Sequence, residues 1–128
     1  MIYVDSSVAL AELLAEQRSP PASLWNEPLI ASRLLQYEVW NKINALGFIR
    51  THGDAARTIL QRVTMIELSQ DALARALEPY PIAVRALDAL HLATIEYLRG
   101  REYNIELASY DARLIAGARA LRIPILAL

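Results

Sequence analysis

Short apolar runs alternate with longer stretches of helical periodicity along the whole chain. The apolar runs predict strands at residues 2–4, 28–32, 65–68, 105–109 and 123–126. The helical periodicity predicts a short turn at residues 22–27 and helices at residues 8–17, 33–49, 51–63, 71–77, 85–99 and 112–121. Strands that alternate with helices favour an α/β sandwich, with a central, mostly parallel sheet and helices on both faces. Pro124 favours an edge position for the last strand.

The length of 128 residues suits a single domain, residues 1–128, whose core needs no disulfide or structural metal. There is no cysteine, which excludes a disulfide framework, a thiolate zinc site and a cysteine nucleophile. The N-terminal residues lack the features of a signal peptide, and no apolar stretch approaches the roughly 20 residues that span a bilayer. We therefore expect a soluble, cytoplasmic protein that does not associate with membranes.

The overall charge provides no general attraction to nucleic acid, because 13 basic and 14 acidic residues leave a formal net charge of −1. Any contact with nucleic acid must therefore be local. Twelve of the 13 basic residues are arginine, which suits paired hydrogen bonds to phosphate or carboxylate, although a GC-rich genome explains this usage equally well. The hydrophobic fraction of 55% is high for a small domain and indicates that a partner covers some apolar surface.

Two acids lie where predicted strands end. Asp5 follows Ile-Tyr-Val, and Asp111 follows Leu-Ala-Ser-Tyr. In open α/β sheets, ligands bind beyond the carboxyl ends of the strands, so both acids fall where a site is expected. Aspartate is also a good helix N-cap, and a cap explains either residue, taken alone, at least as well as a site does.

Two further acids are embedded in apolar helices. Glu38 lies in Leu-Leu-Gln-Tyr-Glu-Val-Trp, and Asp88 lies in Ala-Leu-Asp-Ala-Leu. Each has a simple structural explanation, since Glu38 can pair with Lys42 four residues later and Asp88 with Arg85 three residues earlier. The other ten acidic residues lie on polar helix faces or in turns.

The four acids are harder to explain together than separately, because an unpaired buried carboxylate is strongly destabilising. Two strand-end acids and two acids on apolar helices are what one cluster at the carboxyl edge of a sheet requires. Several oxygen ligands suit a hard divalent cation, Mg²⁺ or Mn²⁺, which a few carboxylates and several waters usually hold. Such cations activate water and neutralise the charge that develops on phosphate.

Four short motifs contain these acids. They are Asp5-Ser6-Ser7, Tyr37-Glu38-Val39-Trp40-Asn41, Leu87-Asp88-Ala89-Leu90-His91-Leu92-Ala93 and Ser109-Tyr110-Asp111. In this order they resemble the motifs of PIN-domain nucleases, in particular the VapC-type ribonuclease toxins of prokaryotic toxin–antitoxin pairs. Any one motif is weak, whereas the ordered set of four is specific, and the resemblance covers the whole chain. It implies a PIN-like three-layer sandwich.

The resemblance implies a divalent-metal-dependent endoribonuclease. Its catalytic residues would be Asp5, Glu38, Asp88 and Asp111. Asp5 and Asp88 would be the principal ligands of Mg²⁺ (or Mn²⁺), and the other two acids would complete the pocket. The resemblance also implies an RNA substrate, a cognate antitoxin as protein partner and a homodimer.

Three further residues match supporting positions of the family. Ser6 and Ser109 match small hydroxyl positions beside the site, where they could bind water or phosphate. Asn41 follows Glu38 by one helical turn and is expected to orient that carboxylate or a metal-bound water. Many relatives have threonine in place of Ser109, and some have further acids after the last aspartate. Here Ala112 and Arg113 follow instead, so Asp111 stands alone at its corner of the site.

Four basic or titratable residues lie in or near the motifs. Arg33, Arg85 and Arg113 lie close to the acids in sequence and are our candidates for contacts to RNA phosphates. His91 lies one turn after Asp88, where it could be a metal ligand or a general base. We expect a structural role for His91, because metal is expected to activate the water and the family does not require this histidine as a catalyst.

Two other classes of protein are alternatives. The first is a PIN-fold RNA-binding or assembly module without catalysis, against which the intact acidic set argues. The second is another aspartate-based α/β protein, and this class fits poorly. A phosphoryl-transfer hydrolase expects a second aspartate where Ser7 stands, and a receiver domain expects a late lysine, whereas the lone lysine is Lys42.

Overall fold

Four parallel strands form the centre of the fold. The computed structural model describes residues 1–128, and its strands are β1 (Ile2–Val4), β2 (Leu29–Ser32), β3 (Val63–Ile66) and β4 (Glu106–Ala108). The strands pair in the order β3-β2-β1-β4, and all three pairings are parallel. β1 is therefore an inner strand, which explains why all three of its residues are buried.

Six α-helices connect and cover the strands. They are α1 (Ser6–Leu13), α2 (Leu34–Leu46), α3 (Ile49–Leu60), α4 (Gln70–Ala76), α5 (Ala86–Gly100) and α6 (Ala112–Ala120), with a 3₁₀ turn at Ala22–Asn26. Helices α1, α2 and α3 contact one another, α5 contacts α4 and α6, and β2 contacts both α2 and α5. The predicted α/β fold with a parallel sheet flanked by helices is therefore confirmed. None of the helices combines the length and the apolar character that crossing a bilayer requires.

The strand register brings the carboxyl ends of the strands to one edge of the sheet. Val4 pairs with Ala108, and Ser32 pairs with Ile66. The ladder between β1 and β4 continues by one hydrogen bond, in which the Asp5 backbone N–H donates to the Ala108 carbonyl at 3.0 Å. The residues that follow β1 and β4 are therefore neighbours, although they are separated by most of the chain.

Several element boundaries differ from the predicted ones, and the largest differences at single ends are in α1, α2 and α3. Helix α1 ends at Leu13, not near Gln17, because the chain turns away at Ala15, whose φ is 49°. Strand β3 begins and ends two residues earlier than predicted. Its register partners on β2 stop at Ser32, and the predicted strand residue Glu67 is exposed.

The last predicted strand is present as a single parallel bridge between Ile125 and Leu107. The Leu107 N–H donates to the Pro124 carbonyl, and the Leu126 N–H donates to the Leu107 carbonyl, both at 2.8 Å. Proline has no N–H, so Pro124 contributes only its acceptor to the pairing. The predicted edge position of this segment, outside β4, is confirmed.

Gly47 ends α2 in the left-handed conformation, with φ at 72°. We expect Gly47→Ala to lower the free energy of unfolding by about 1 kcal/mol, because a Cβ disfavours this backbone conformation. No atom lies within 4 Å of a Cβ at Gly47 or at Gly100, and only Gly47 has a positive φ. Gly100→Ala is therefore the control and should be neutral or slightly stabilising. Urea unfolding of both variants measures the difference, and an equal effect of the two would contradict the conformational explanation.

Candidate active site at the carboxyl edge of the sheet

Asp5 lies between β1 and α1 and is 4% exposed. Its Oδ2 accepts the Ser7 backbone N–H at 3.3 Å, as expected of an N-cap. The same oxygen accepts the hydroxyls of Ser7 and Ser109, at 2.6 and 2.9 Å. Asp5 forms no salt bridge with a basic side chain. This buried carboxylate is therefore stabilised only by neutral donors.

Glu38 extends from α2 toward the same place. Its Oε1 contacts His91 Nε2 at 2.6 Å, and its Oε2 accepts the Ser6 hydroxyl at the longer distance of 3.4 Å. One carboxylate oxygen each of Asp5 and Glu38 and one ring nitrogen of His91 lie within 4.8 Å of one another. The alternative pairing of Glu38 with Lys42 is not formed. Lys42 is exposed and makes no salt bridge.

Asp88 and Asp111 share one guanidinium group. Arg85 donates from Nε to Asp88 Oδ2 at 2.7 Å and from Nη2 to Asp111 Oδ2 at 2.6 Å. Asp111 is also the N-cap of α6, where its Oδ1 accepts the backbone N–H groups of Arg113 and Leu114. The simple explanations of these two acids, as an ion-pair partner and a cap, are both correct. Asp111 caps α6 and still lies beside Arg85 and Asp88, so its capping role does not exclude a role in the site.

Asp111 and Arg85 each have a shifted pKa. Burial raises the pKa of Asp111, but hydrogen bonds from Arg85 and from two backbone N–H groups outweigh burial and hold that pKa below its ordinary value. The hydrogen bonds to Asp88 and Asp111 raise the pKa of Arg85 above its ordinary value. Arg85 is therefore a permanent positive charge between two acids.

His91 is the site residue that sequence reasoning placed only in a structural role. It is 1% exposed, and its Nδ1 contacts the Tyr3 hydroxyl at 2.7 Å while its Nε2 contacts Glu38. Burial lowers the pKa of His91, but the hydrogen bond and charge of Glu38 and the charges of Asp5 and Asp88 outweigh burial and raise it. The sequence signal for a role of His91 in the site is its spacing of three residues from Asp88, since residues so spaced share a helix face.

Serine hydroxyls join the first motif to the last. Ser109 Oγ donates to Asp5 and accepts the Asp111 backbone N–H at 2.9 Å. Ser7 Oγ, which sequence reasoning did not include among the candidate site residues, accepts the Tyr110 backbone N–H at 2.9 Å. Asn41 is exposed and forms no hydrogen bond with Glu38, so the orienting contact expected of it is not seen in this structure.

Two of the three candidate arginines lie at the acidic edge. Arg85 and Arg113 line a cavity of about 450 Å³ together with Asp88. Arg33 instead pairs with Glu67 at 2.8 Å and lines a separate groove on α2. Arg85 and Arg113 therefore have the better position for a ligand that reaches Asp88 and Asp111.

The chain as a whole matches one known domain type. The model of the PIN domain matches residues 2–120. The chain belongs to the PIN-domain family. Its sequence is similar to ribonuclease VapC35 of Mycobacterium tuberculosis, with 31% identity over 136 aligned positions that cover 99% of this chain and 96% of that protein. It is also similar to ribonuclease VapC47 of the same organism, with 27% identity over 126 positions that cover 93% and 90%.

Two solved structures of other proteins share the fold. A toxin–antitoxin complex from Klebsiella pneumoniae has a chain that superposes with a TM-score of 0.68 at 22% identity, covering 94% of each chain. VapC20 of Mycobacterium tuberculosis, described as a sarcin–ricin loop cleaving toxin, gives a TM-score of 0.61 at 19% identity and covers 91% of this chain and 94% of that chain. The predicted PIN-like sandwich is thereby confirmed.

The PIN-domain family implies a divalent cation, and the donors at this edge suit one. Asp5 and Asp88 are 4% and 7% exposed, and each has an Oδ1 that receives no hydrogen bond from the protein. A carboxylate oxygen that receives no hydrogen bond from the protein is available as a ligand to a hard cation. The site offers no sulfur ligand, so its chemistry fits Mg²⁺ or Mn²⁺ better than a thiolate-bound metal.

The Arg85→Gln variant removes the guanidinium that Asp88 and Asp111 share. Because the pKa of Asp111 is lowered in the folded protein, its contribution to stability is present above its unfolded value of about 4 and is lost as the pH falls through the lower folded value. We expect a lower Tm than that of the wild type near pH 7, and a difference that shrinks below about pH 4. Thermal unfolding across this range tests it, with Arg113→Gln as control because Arg113 pairs with neither acid. A difference independent of pH would contradict the expectation.

Proposed function

We propose that this chain is a divalent-metal-dependent endoribonuclease and the toxin component of a VapBC-like toxin–antitoxin pair, with residues 1–128 as one nuclease domain. The observation that carries the proposal is the pair of buried aspartates, Asp5 and Asp88, each with an oxygen free of protein donors at the carboxyl edge of the sheet. The names of the relatives from Mycobacterium tuberculosis support RNA as the substrate.

Asp5 and Asp88 would hold Mg²⁺ or Mn²⁺, and Glu38 and Asp111 would complete the acidic pocket. When bound, the cation supplies a water of lowered pKa and neutralises charge that develops on the scissile phosphate. The protein's own contribution is orientation. The hydroxyls of Ser7 and Ser109 both bind Asp5 Oδ2, which keeps the other oxygen of that carboxylate free.

The RNA backbone would approach along the cavity that Arg85 and Arg113 line. Both residues are cations beside the acids, and arginine binds phosphate with paired hydrogen bonds. Arg85 is engaged by two carboxylates, so a cation bound among the acids would compete for those partners and free the guanidinium for phosphate. Such local attraction is what a chain with a net charge of −1 requires.

A non-catalytic PIN-fold module that binds RNA or organises an assembly is the second candidate. Such a protein has no need of buried carboxylates, which reduce stability when they lack cationic partners. Asp5 is such a carboxylate. Its retention favours catalysis over this alternative.

The Asp5→Asn and Asp88→Asn variants test the proposed mechanism. Each keeps the shape of the side chain and removes a charged ligand. We expect Mg²⁺-dependent cleavage of RNA to fall by about a hundredfold or more, because metal stabilises transition-state charge by several kcal/mol. Cell toxicity should be lost in parallel. Cleavage rates on a mixed RNA substrate, with and without a chelator, measure the effect.

The Glu12→Gln variant is the matched control for these substitutions. Glu12 lies on α1, the helix that Asp5 caps, and its side chain is exposed. Loss of one negative charge there should leave cleavage unchanged. Undiminished cleavage by both aspartate variants would refute the mechanism, whereas binding of RNA without any cleavage by the wild-type protein would favour the non-catalytic module.

A cognate antitoxin and a second copy of the chain are the proposed protein partners. The similar chain from Klebsiella pneumoniae comes from a toxin–antitoxin complex. Large apolar side chains are exposed between the end of α4 and the first turn of α5, including Leu77 at 89%, Ile82 at 42% and Leu87 at 47%. Such surface is usual at protein interfaces. Sedimentation of the purified chain should give twice the mass of one copy, and a single-copy mass would refute the homodimer.

A further inference from the structure

We propose that His91, backed by Tyr3, is a positioning residue that holds the Glu38 carboxylate in the acidic pocket. This inference rests on the proposed function, because it assigns the pocket to a divalent cation. Its basis is a buried chain of hydrogen bonds that begins on the sheet and ends on Glu38, a residue of another layer.

The donors and acceptors along this chain can be assigned from chemistry. A carboxylate only accepts, so His91 Nε2 carries the hydrogen in the 2.6 Å contact with Glu38 Oε1. At the other end, the Ser32 backbone N–H donates to the Tyr3 hydroxyl oxygen at 3.1 Å. In the tautomer with hydrogen on Nε2, the Tyr3 hydroxyl donates to His91 Nδ1 at 2.7 Å.

This series of hydrogen bonds is rigid because Tyr3 and His91 are enclosed by the protein. Tyr3 is 0% exposed on the inner strand β1, and the His91 ring packs edge-on against it, with ring centroids 5.8 Å apart. The imidazole therefore has one orientation, fixed by the sheet behind it.

Glu38 depends on this contact more than on any other. Its side chain is 22% exposed, and its second contact, from the Ser6 hydroxyl, is 3.4 Å long. A glutamate has three side-chain torsions, and ordering it has an entropic cost that one long hydrogen bond offsets poorly. Without His91, the carboxylate would lose its only short hydrogen bond.

The same assignment argues against His91 as a direct metal ligand. Both ring nitrogens are occupied, one by the Tyr3 hydroxyl and the other by Glu38. Nε2 has no lone pair while it carries the hydrogen that Glu38 accepts. Metal ligation through either nitrogen would require one of these hydrogen bonds to break.

Two substitutions at His91 distinguish the effect of its N–H donor from the effect of its side-chain volume. Glutamine can place an N–H near the position of Nε2, whereas leucine fills the space without a donor. We expect His91→Leu to weaken Mn²⁺ binding by about tenfold or more, the usual effect of losing a partner of a metal-binding side chain, and His91→Gln to stay close to wild type. Titration calorimetry measures the affinity, and unfolding without metal verifies that each variant is folded.

Tyr3→Phe provides a second route if His91→Leu does not fold. It removes the donor to Nδ1 and keeps the ring, so we expect weaker Mn²⁺ binding. Tyr80→Phe is its control, because the Tyr80 hydroxyl donates at 2.9 Å to the Ala89 carbonyl on the same helix and contacts no acid. Tyr80→Phe should lower stability without changing the affinity for Mn²⁺.

A double-mutant cycle tests whether His91 acts through Glu38. In a Glu38→Ala background, His91→Leu should cause no further loss of Mn²⁺ affinity. An additive loss would overturn the proposal, as would unchanged affinity of folded His91→Leu in the wild-type background. Nitrogen hyperfine coupling in the pulsed EPR spectrum of bound Mn²⁺ would also overturn it, since that signal identifies His91 as a ligand. Absence of Mn²⁺ binding by the wild type would instead refute the proposed function itself.

Discussion

Negative charge is concentrated where β1, β2 and β4 end, and the surrounding residues are arranged to stabilise it without a large countercharge. The acids are stabilised by three different kinds of partner. Hydroxyl groups bind Asp5, an imidazole N–H binds Glu38, and one guanidinium joins Asp88 to Asp111. Among these partners, only the guanidinium brings a full positive charge. The pocket therefore keeps a net negative potential in a partly desolvated setting.

This arrangement relates the stability of the fold to its chemistry. Acids that were fully neutralised by arginines would be more stable and would have little affinity for a metal ion. Acids without any partner would disfavour folding. Neutral donors are intermediate, because they orient a carboxylate and leave its charge available. The serines and His91 therefore contribute to folding and to the site through the same hydrogen bonds.

Much of this arrangement could be predicted from local patterns. Strand periodicity located the ends of β1 and β4, and the rule that parallel strands share a carboxyl edge brought Asp5 and Asp111 to one place. Contacts between distant residues could not be predicted in this way. Helical spacing suggested Lys42 as the partner of Glu38, whereas the fold supplies His91, 53 residues away. Helical spacing did predict the bond between Arg85 and Asp88. The second bond of Arg85, to Asp111, could not be predicted because it depends on how α5 and α6 meet.

The position of β1 between β2 and β4 also bears on how the chain is made. The backbone N–H of Asp5 pairs with Ala108 and its side chain with Ser109, which lies 104 residues later in the chain. A nascent chain lacks both partners until these later residues have been joined. An unfinished polypeptide therefore carries no complete pocket, and truncated products released from a stalled ribosome would lack the proposed nuclease activity.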